Sequence, residues 1–525
     1  MKKYYKLQDN YFYIFLILFF IIGTILSLNV GITHDEAHSN WVWELNKKKI
    51  SNIFLNTNHD IGYLDTYHGY YGVGFYFLSS LVEIFLLKIF DFSSINQEGK
   101  ILLTKHPTVF IFFIFSGIYF RKLLLILTSD KTFSNLSTIF YLTYPYLLGH
   151  SFFNIKDIPF MSVWLICTYY LIKNLNNLFL AEQIKKKDLY IFSFITAYLL
   201  SLRLSGVLIF IEYLIFFIFY LNNSKFKLRD ILKFQYKNLI KFFSIFLILS
   251  YIFYPSFWNN PFNLLTAIKF MGEHIQTVCT TTLGNCMNAQ NLPASYIFIW
   301  LFFKLPLIIL LGLFTFAFIE KKIFLNKINV IILGSLITLI FTIIFLLILL
   351  NVNLYDELRQ ILFLVPLIII TSLKIIHFAF KKISSVLVVI FIFFFIVQNT
   401  KLYPYNYIWL NNFNFLLNVN KNFELDYWGV STKEVANFMD SLENKNECII
   451  SNRDNGIKFF LKNQETCFIP FNNLHKGNKR PFYVIMTERF LKKGVPNRCN
   501  LIYSEKKKLN FSNENLNLAK IYRCD

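Results

Sequence analysis

Long apolar runs, separated by short polar gaps, set the pattern of this chain. The runs lie near residues 11–30, 70–90, 102–120, 132–149, 158–178, 189–221, 238–257, 294–317, 328–350, 360–376 and 383–399. Several reach the ~20 residues a helix needs to cross ~30 Å of hydrocarbon. Basic clusters occupy alternate gaps: Arg121, Lys122 and Lys131; Lys185, Lys186 and Lys187; Lys225, Lys227, Arg229, Lys233 and Lys237; Lys321, Lys322 and Lys327; and Lys381 with Lys382. Short loops rich in Lys and Arg stay on the cytoplasmic side, so these gaps and the N-terminal lysines belong to one face.

Two runs must then depart from a single crossing. At 1.5 Å per residue, one helix over 189–221 would be about 50 Å long. It is expected to split into a hairpin turning at "RLSG", which places Arg203 and Gly206 on the outer face. The run 70–90 is expected to lie along the membrane as a juxtamembrane helix, because a crossing there would put every later basic cluster outside. Lys47, Lys48 and Lys49 run against the scheme. The first run has no small-residue cleavage site after it and reads as a retained anchor.

The expected fold is a polytopic α-helical membrane protein with about 11 transmembrane helices, N-terminus cytoplasmic and C-terminus outside. The outer gaps are 31–101, 150–157, the turn at 203, 258–293, 351–359 and everything past 400. From about 400 the apolar runs shorten and turn residues multiply. "STKEVANFMDSLEN" reads as a helix capped by Ser431 or Thr432, with Glu434 just inside. "ECIIS", "TCFIP", "FYVIMT" and "CNLIYS" read as short buried strands. Residues 1–399 thus form a transmembrane domain whose first outer loop, 31–101, carries juxtamembrane helices. Residues 400–525 form a small extramembrane α/β domain.

Composition agrees: 55% of residues are hydrophobic and 19% aromatic, far from what a soluble enzyme needs. A net charge of +21 would suggest nucleic acid, but the lysines sit in the gaps where positive charge sets topology. No nucleic-acid partner is expected.

Candidate chemistry collects on the outer face. "THDEAH" places His34, Asp35, Glu36 and His38 where the first span ends. A carboxylate there can serve as a base with its proton affinity tuned by burial, or simply mark the exit from lipid. His34 and His38, four apart, suit one face of a helix and leave a divalent metal possible, although no third ligand is evident. "HSFFNIKDIPF" places Lys156 and Asp157 in the second outer gap, where Asp157 and Pro159 also make a helix start. "YDELRQ" supplies Tyr355, Asp356 and Arg359, with Asp356 and Arg359 at pairing distance along a helix. Arg203 is the one basic residue in its 33-residue run, and an intramembrane cation is costly enough to suggest function. Lys156, Arg203 and Arg359 suit a phosphate, and Asp35, Glu36 and Asp157 suit a hydroxyl that must lose its proton. Transfer from a lipid-phosphate sugar needs both. A transporter or flippase of an anionic lipid or polymer would also want the cations. A noncatalytic assembly protein built around its soluble domain is a third reading.

These segments resemble a known family. The "HDE" acidic pair after the first span, "HSFFNIKDIPF", "LPASYIFIWLFFKLPL", "YDELRQILFLVP" and "YPYNYIWLNN…FELDYWGVSTKE" are similar, in order and in side, to signatures of GT-C glycosyltransferases. The likeness is to glycosyltransferase family 39 and its relatives, the protein O-mannosyltransferases and lipid A aminoarabinose transferases. It implies a GT-C fold in the inner membrane, a polyprenyl-phosphate sugar donor, and inverting transfer on the periplasmic face to a glycan, lipid or protein hydroxyl. It implies Asp35 as general base, with Glu36 orienting it or accepting the proton itself, and Asp157 as part of the site. Lys156, Arg203 and Arg359 would hold the donor phosphate, with His34, His38, Tyr355 and Asp356 in support. "YDELRQ" departs from relatives that carry glycine and histidine around the arginine, which leaves Glu357 and Gln360 without a role.

Of seven cysteines, Cys167 lies in a span and reads as packing. Cys279 and Cys286 bracket "TTTLGN" and suit a hairpin disulfide. Cys448, Cys467, Cys499 and Cys524 allow three pairings or free thiols. The aromatic stretch "FYPSFWNNPFNLL" reads as an interfacial belt, or as a wall of a lipid groove.

Overall fold

The computed structural model describes every residue except 1, 91, 93, 94, 180–183, 226, 274–277, 325, 443–446, 464, 475–480, 488, 489, 492, 493, 511 and 513. Among the described residues, seven helices are long and apolar enough to cross a membrane: Asn10–Ser27, Gln97–Thr128, Asp157–Leu178, Leu204–Asn223, Val330–Leu349, Arg359–Ala379 and Ser384–Leu402. The remaining expected crossings are helical too, but short, charged or broken. Lys131–Thr143 stops before Pro145, and Lys186–Leu202 stops at Arg203. Leu228–Ile252 begins among lysines, and 294–317 divides into Ser295–Lys304 and Leu307–Ile323 around Pro306, which cannot donate within a helix.

The hairpin expected in 189–221 is present. The first helix ends at Leu202, Arg203 is extended (φ −152°, ψ 138°), and a 3-10 turn, Leu204–Leu208, opens the next helix. The run 70–90 forms a 16-residue helix, Gly74–Ile89, with Leu81, Ile84 and Phe85 exposed along its side. Lys49 proves to be no free loop charge: it is buried in the helix His34–Phe54 and donates to Ser256 O at 3.1 Å, while Lys47 pairs with Glu44 at 2.7 Å.

Helix Val365–Ala379 is buried along nearly its whole length, enclosed by the helices His106–Thr128, Asp157–Phe179 and Leu307–Ile323. Trp164 and Phe363 meet at 4.2 Å between ring centroids within this core. By contrast, Ile14, Ile17, Leu18 and Ile21 of the first helix stand exposed, as expected of a face turned to lipid.

A hairpin of β1 (Cys279–Thr282) and β2 (Asn285–Asn288) leans on the end of the bundle and is closed by the Cys279–Cys286 disulfide. The C-terminal sheet holds β3 (Cys448–Ser451), β4 (Phe468–Pro470), β5 (Phe482–Thr487), β6 (Cys499–Lys508) and β7 (Asn515–Cys524), in the order β4-β3-β5-β7-β6. The first three are parallel and β7 is antiparallel to β5 and β6. The four cysteines pair as Cys448–Cys467 and Cys499–Cys524, so free thiols are excluded. The second pair follows directly from register, since the two residues are partners across β6 and β7. The expected helix is Thr432–Asp440. Its Ser431 hydroxyl donates to Asp426 at 2.6 Å instead of capping, and positions 443 and 444 of the expected segment lie outside the described residues.

Candidate functional site

Four chain breaks at one end of the bundle deliver the expected charges to one place. Thr33 is extended ahead of the helix His34–Phe54, so Asp35 falls in its first turn. Asn154 caps the start of Asp157–Phe179 by accepting from the Asp157 amide at 2.9 Å. Arg203 stands at the hairpin break, and Arg359 opens the turn that leads into Val365–Ala379.

Arg359 is the hub. It pairs with Asp35 through Nη2, with Asp157 at 3.4 Å and with Asp356 at 3.4 Å. Its guanidinium also lies 4.2 Å from the ring centre of Trp428 and 5.5 Å from that of Tyr355. Asp157, only 1% exposed, also accepts from Arg203 and, at 3.0 Å, from Asn154. The other terminal nitrogen of Arg203 donates to Gln360 at 2.6 Å. Lys156 reaches Asp35 at 3.9 Å and sits 5.1 Å over the Tyr71 ring. All six charges (Asp35, Asp157, Asp356, Lys156, Arg203 and Arg359) therefore belong to one network. Its accessible members are Asp35 at 29%, Arg203 at 24% and Lys156 at 22% side-chain exposure; the rest lie beneath.

Electrostatics follow from this geometry. Burial alone would push the Asp35 carboxyl up, but Arg359 and Lys156 outweigh it and hold the group well below the usual carboxylate range. Lys156 is lowered by its own burial, against the pull of Asp35.

Glu36 is placed differently from its neighbour. One carboxylate oxygen accepts from the Thr33 amide at 2.8 Å and the Thr33 hydroxyl at 2.9 Å, and the other meets His106 Nε2 at 2.8 Å. The side chain is buried and occupied on both oxygens. Thr33-x-x-Glu36 is the spacing of a capping box, a signal present in the sequence and overshadowed there by the acidic pair.

His34 and His38 do not converge. His34 faces Arg453 and Asp454 of the C-terminal domain, whereas His38 Nε2 meets His68 Nδ1 at 3.1 Å. Among the described residues, no group of three or more His, Cys, Asp and Glu is arranged to hold a metal ion.

Asp356 and Glu357 are both left-handed, with φ of 57° and 65°. Such a conformation costs a non-glycine residue about 1–2 kcal/mol, so the surroundings must hold it. The Asp356 amide donates to Thr280 Oγ1 of the disulfide-closed hairpin at 3.1 Å, and the Glu357 amide donates to the Tyr296 hydroxyl at 3.1 Å. The Glu357 carboxylate meets Lys304 at 2.8 Å with both side chains inaccessible. Burial raises the Glu357 carboxyl to about 8, against the opposing pull of Lys304. These residues aim Arg359 at its carboxylates; sequence reasoning finds Asp356 and misses the parts played by Thr280, Tyr296, Lys304 and Glu357. Lys304 is hidden inside an apolar run, yet a lone charge there is itself a signal. Glu212, which accepts from the Trp164 indole at 2.6 Å in the core, is missed in the same way.

Close backbone approach locks the surrounding loops. A Cβ on Gly31 would stand 2.2 Å from Val430 O, which ties the start of the first loop to the segment that carries Trp428. A Cβ on Gly72 would stand 2.3 Å from Ser201 O, which ties the far end of that loop to the Arg203 turn.

Fold and site together define a polytopic helical membrane protein with a small C-terminal α/β domain and a paired ionic centre at one end of its helices. No family model matches the sequence, and no curated protein matches it. Two solved structures of ArnT from Cupriavidus metallidurans match it, one bound to undecaprenyl phosphate (TM-score 0.47) and one in the apo state (TM-score 0.48). Each is 10% identical and covers 98% of this chain and 98% of that chain.

Proposed function

We propose that this protein transfers a sugar from a polyprenyl-phosphate-linked donor to an acceptor hydroxyl, with inversion, at the end of the bundle that carries the ionic network. One observation carries the reading: partly open cations, Lys156 and Arg203, stand beside a partly open carboxylate, Asp35, over a closed layer of Arg359, Asp157 and Asp356.

In this reading the labour is divided. Arg359, surrounded by three carboxylates, positions Asp35 and leaves the donor phosphate to Lys156 and Arg203. Asp157 holds the two arginines in place. Glu36, occupied by Thr33 and His106, anchors the loop, so Asp35 is the base.

By themselves, Arg359 and Lys156 make Asp35 a weak base, because they favour its ionised form. A phosphate drawn to Lys156 and Arg203 offsets that positive charge and raises the proton affinity of Asp35 where the acceptor hydroxyl must lose its proton. The hydroxyl oxygen then attacks the anomeric carbon as its proton passes to Asp35. The bond from that carbon to the phosphate oxygen breaks, and the electron pair departs with the phosphate, stabilised by the two cations. In this reading residues 1–399 form the catalytic domain in the inner membrane, with the N-terminus cytoplasmic. The site and residues 400–525 face the periplasm.

The test is transfer from a radiolabelled polyprenyl-phosphate sugar pool in membranes, with wild type and Asp35→Asn present in equal amount. Loss of transfer in the variant is expected. Unchanged transfer removes Asp35 as the base, and no transfer by wild type from any donor tried turns the reading toward a transporter of anionic lipid.

A further inference from the structure

Beside the ionic network, on the first loop, lies a group of rings that the proposed chemistry does not use. His38 and Trp41 occupy one face of the helix His34–Phe54, and the turns at 62–71 bring Tyr63, Tyr67, His68 and Tyr71 against them. His68 is the centre: it meets His38 at 3.1 Å, packs edge-on to Trp41 at 5.0 Å and lies under Tyr67 at 4.0 Å between ring centroids. Trp41 in turn meets Tyr63 at 5.4 Å, and His38 meets Tyr71 at 5.1 Å. Trp41, Tyr63 and Tyr67 are 36%, 56% and 42% exposed, so the group forms an open platform.

We propose that this platform is a sugar subsite that stacks the uncharged sugar ring of the lipid-phosphate donor. The inference rests on the glycosyl-transfer reading above and adds to it where the transferred group sits. Position is the first argument. Lys156 is shared between Asp35 and the Tyr71 ring, so a phosphate held by Lys156 has Tyr71 and His38 within about one ring's width. A sugar bonded to that phosphate has to lie within the same reach.

Chemistry is the second argument. The C–H face of a sugar packs on an electron-rich ring for the reason that ring edges do, while imidazole nitrogens exchange hydrogen bonds with hydroxyls. Burial, with help from Lys156 and His68, lowers His38 to about 4, and burial lowers His68 as well. Both are therefore neutral at working pH, and the platform suits an uncharged ring. A prenyl chain would find polar imidazole edges there, and an anionic sugar would meet Asp35. An interfacial belt also uses Trp and Tyr, but it does not call for two hydrogen-bonded imidazoles at its centre.

The test compares binding of undecaprenyl-phosphate glucose, undecaprenyl-phosphate mannose and sugar-free undecaprenyl phosphate to the full-length protein in detergent. Wild type should bind at least one sugar-bearing lipid about five- to tenfold more tightly than the sugar-free one. Trp41→Ala and Tyr67→Ala should each remove about three- to tenfold of that advantage, with affinity for the sugar-free lipid unchanged. Equal weakening toward all three lipids would show a membrane-contact belt and overturn the inference. So would variants that keep the sugar preference, or a wild type that binds sugar-free lipid and shows no preference. A wild type that binds none of the three overturns the transfer reading and the subsite with it.

Discussion

Replacing Asp157 by Asn and, separately, Asp35 by Asn distinguishes a carboxylate that holds the site together from one that reacts in it. Asp157 is 1% exposed and faces Arg203 and Arg359, the latter at 3.4 Å. Replacing it leaves Arg203 with the neutral Gln360 and Arg359 with two of its three carboxylates, and taking one partner from a buried charge pair costs about 3–5 kcal/mol. At about 1.4 kcal/mol per factor of ten, that is roughly two to three and a half powers of ten in the unfolding equilibrium. Asp35 is 29% exposed, and Arg359 keeps Asp157 and Asp356 when Asp35 is neutralised. Its loss is expected to cost about 1 kcal/mol after screening. Thermal unfolding in detergent, followed by intrinsic tryptophan fluorescence and paired with the transfer assay, reads both quantities. Asp157→Asn should melt clearly early and lose transfer in step with folded protein. Asp35→Asn should melt close to wild type and lose transfer outright. If Asp157→Asn melts with wild type, or if Asp35→Asn melts earlier of the two, the division between anchor and base is wrong.

The buried Glu357–Lys304 pair gives a pH signature. Burial raises the Glu357 carboxyl in the folded protein to about 8 from 4.5. Its contribution to stability is therefore complete below the lower value and is lost as pH rises to the upper one, at up to about 1.4 kcal/mol per pH unit. The melting temperature should fall across that window, and Glu357→Gln should flatten the slope; parallel curves for the two proteins would contradict this. The β1–β2 hairpin gives a second signature, since its Thr280 holds the Asp356 amide. Cys279→Ser with Cys286→Ser should remove about 2 kcal/mol of loop restraint and lower transfer several-fold. Cys448→Ser with Cys467→Ser should destabilise the C-terminal sheet and spare the rate per folded molecule. Equal rates in the two double variants would show that the hairpin does not support the site.

Much of the architecture is legible because its signals are long. An apolar run 33 residues long is too long for one crossing, and it breaks at the one basic residue inside it, Arg203. The charges of four separate gaps can be assigned to one face by lysine asymmetry alone. Their assembly around Arg359 cannot be read, since Asp35 and Arg359 are 324 positions apart and no local period links them. Lys304 and Glu357 escape notice because each looks incidental by itself; their meaning is the 2.8 Å between them. The same holds for Glu36, whose nearest signal is local and structural. The strand β7 goes unread because its alternation, "NLNLAKIYRC", starts with polar residues and carries Lys520 and Arg523 on its paired length. Lys49 breaks the charge rule only on paper, because the rule concerns free loop lysines and this one is buried in a helix.

The hub also decides how the site looks from a distance. Three cations and three carboxylates lie within a few ångströms of one another, so their fields cancel beyond the immediate shell. A centre balanced in this way adds no net charge of its own to draw a distant phosphate or sulfate out of the surrounding water. Under the proposed function its lipid-borne donor comes sideways, by diffusion in the plane of the membrane, and meets the cations only on contact.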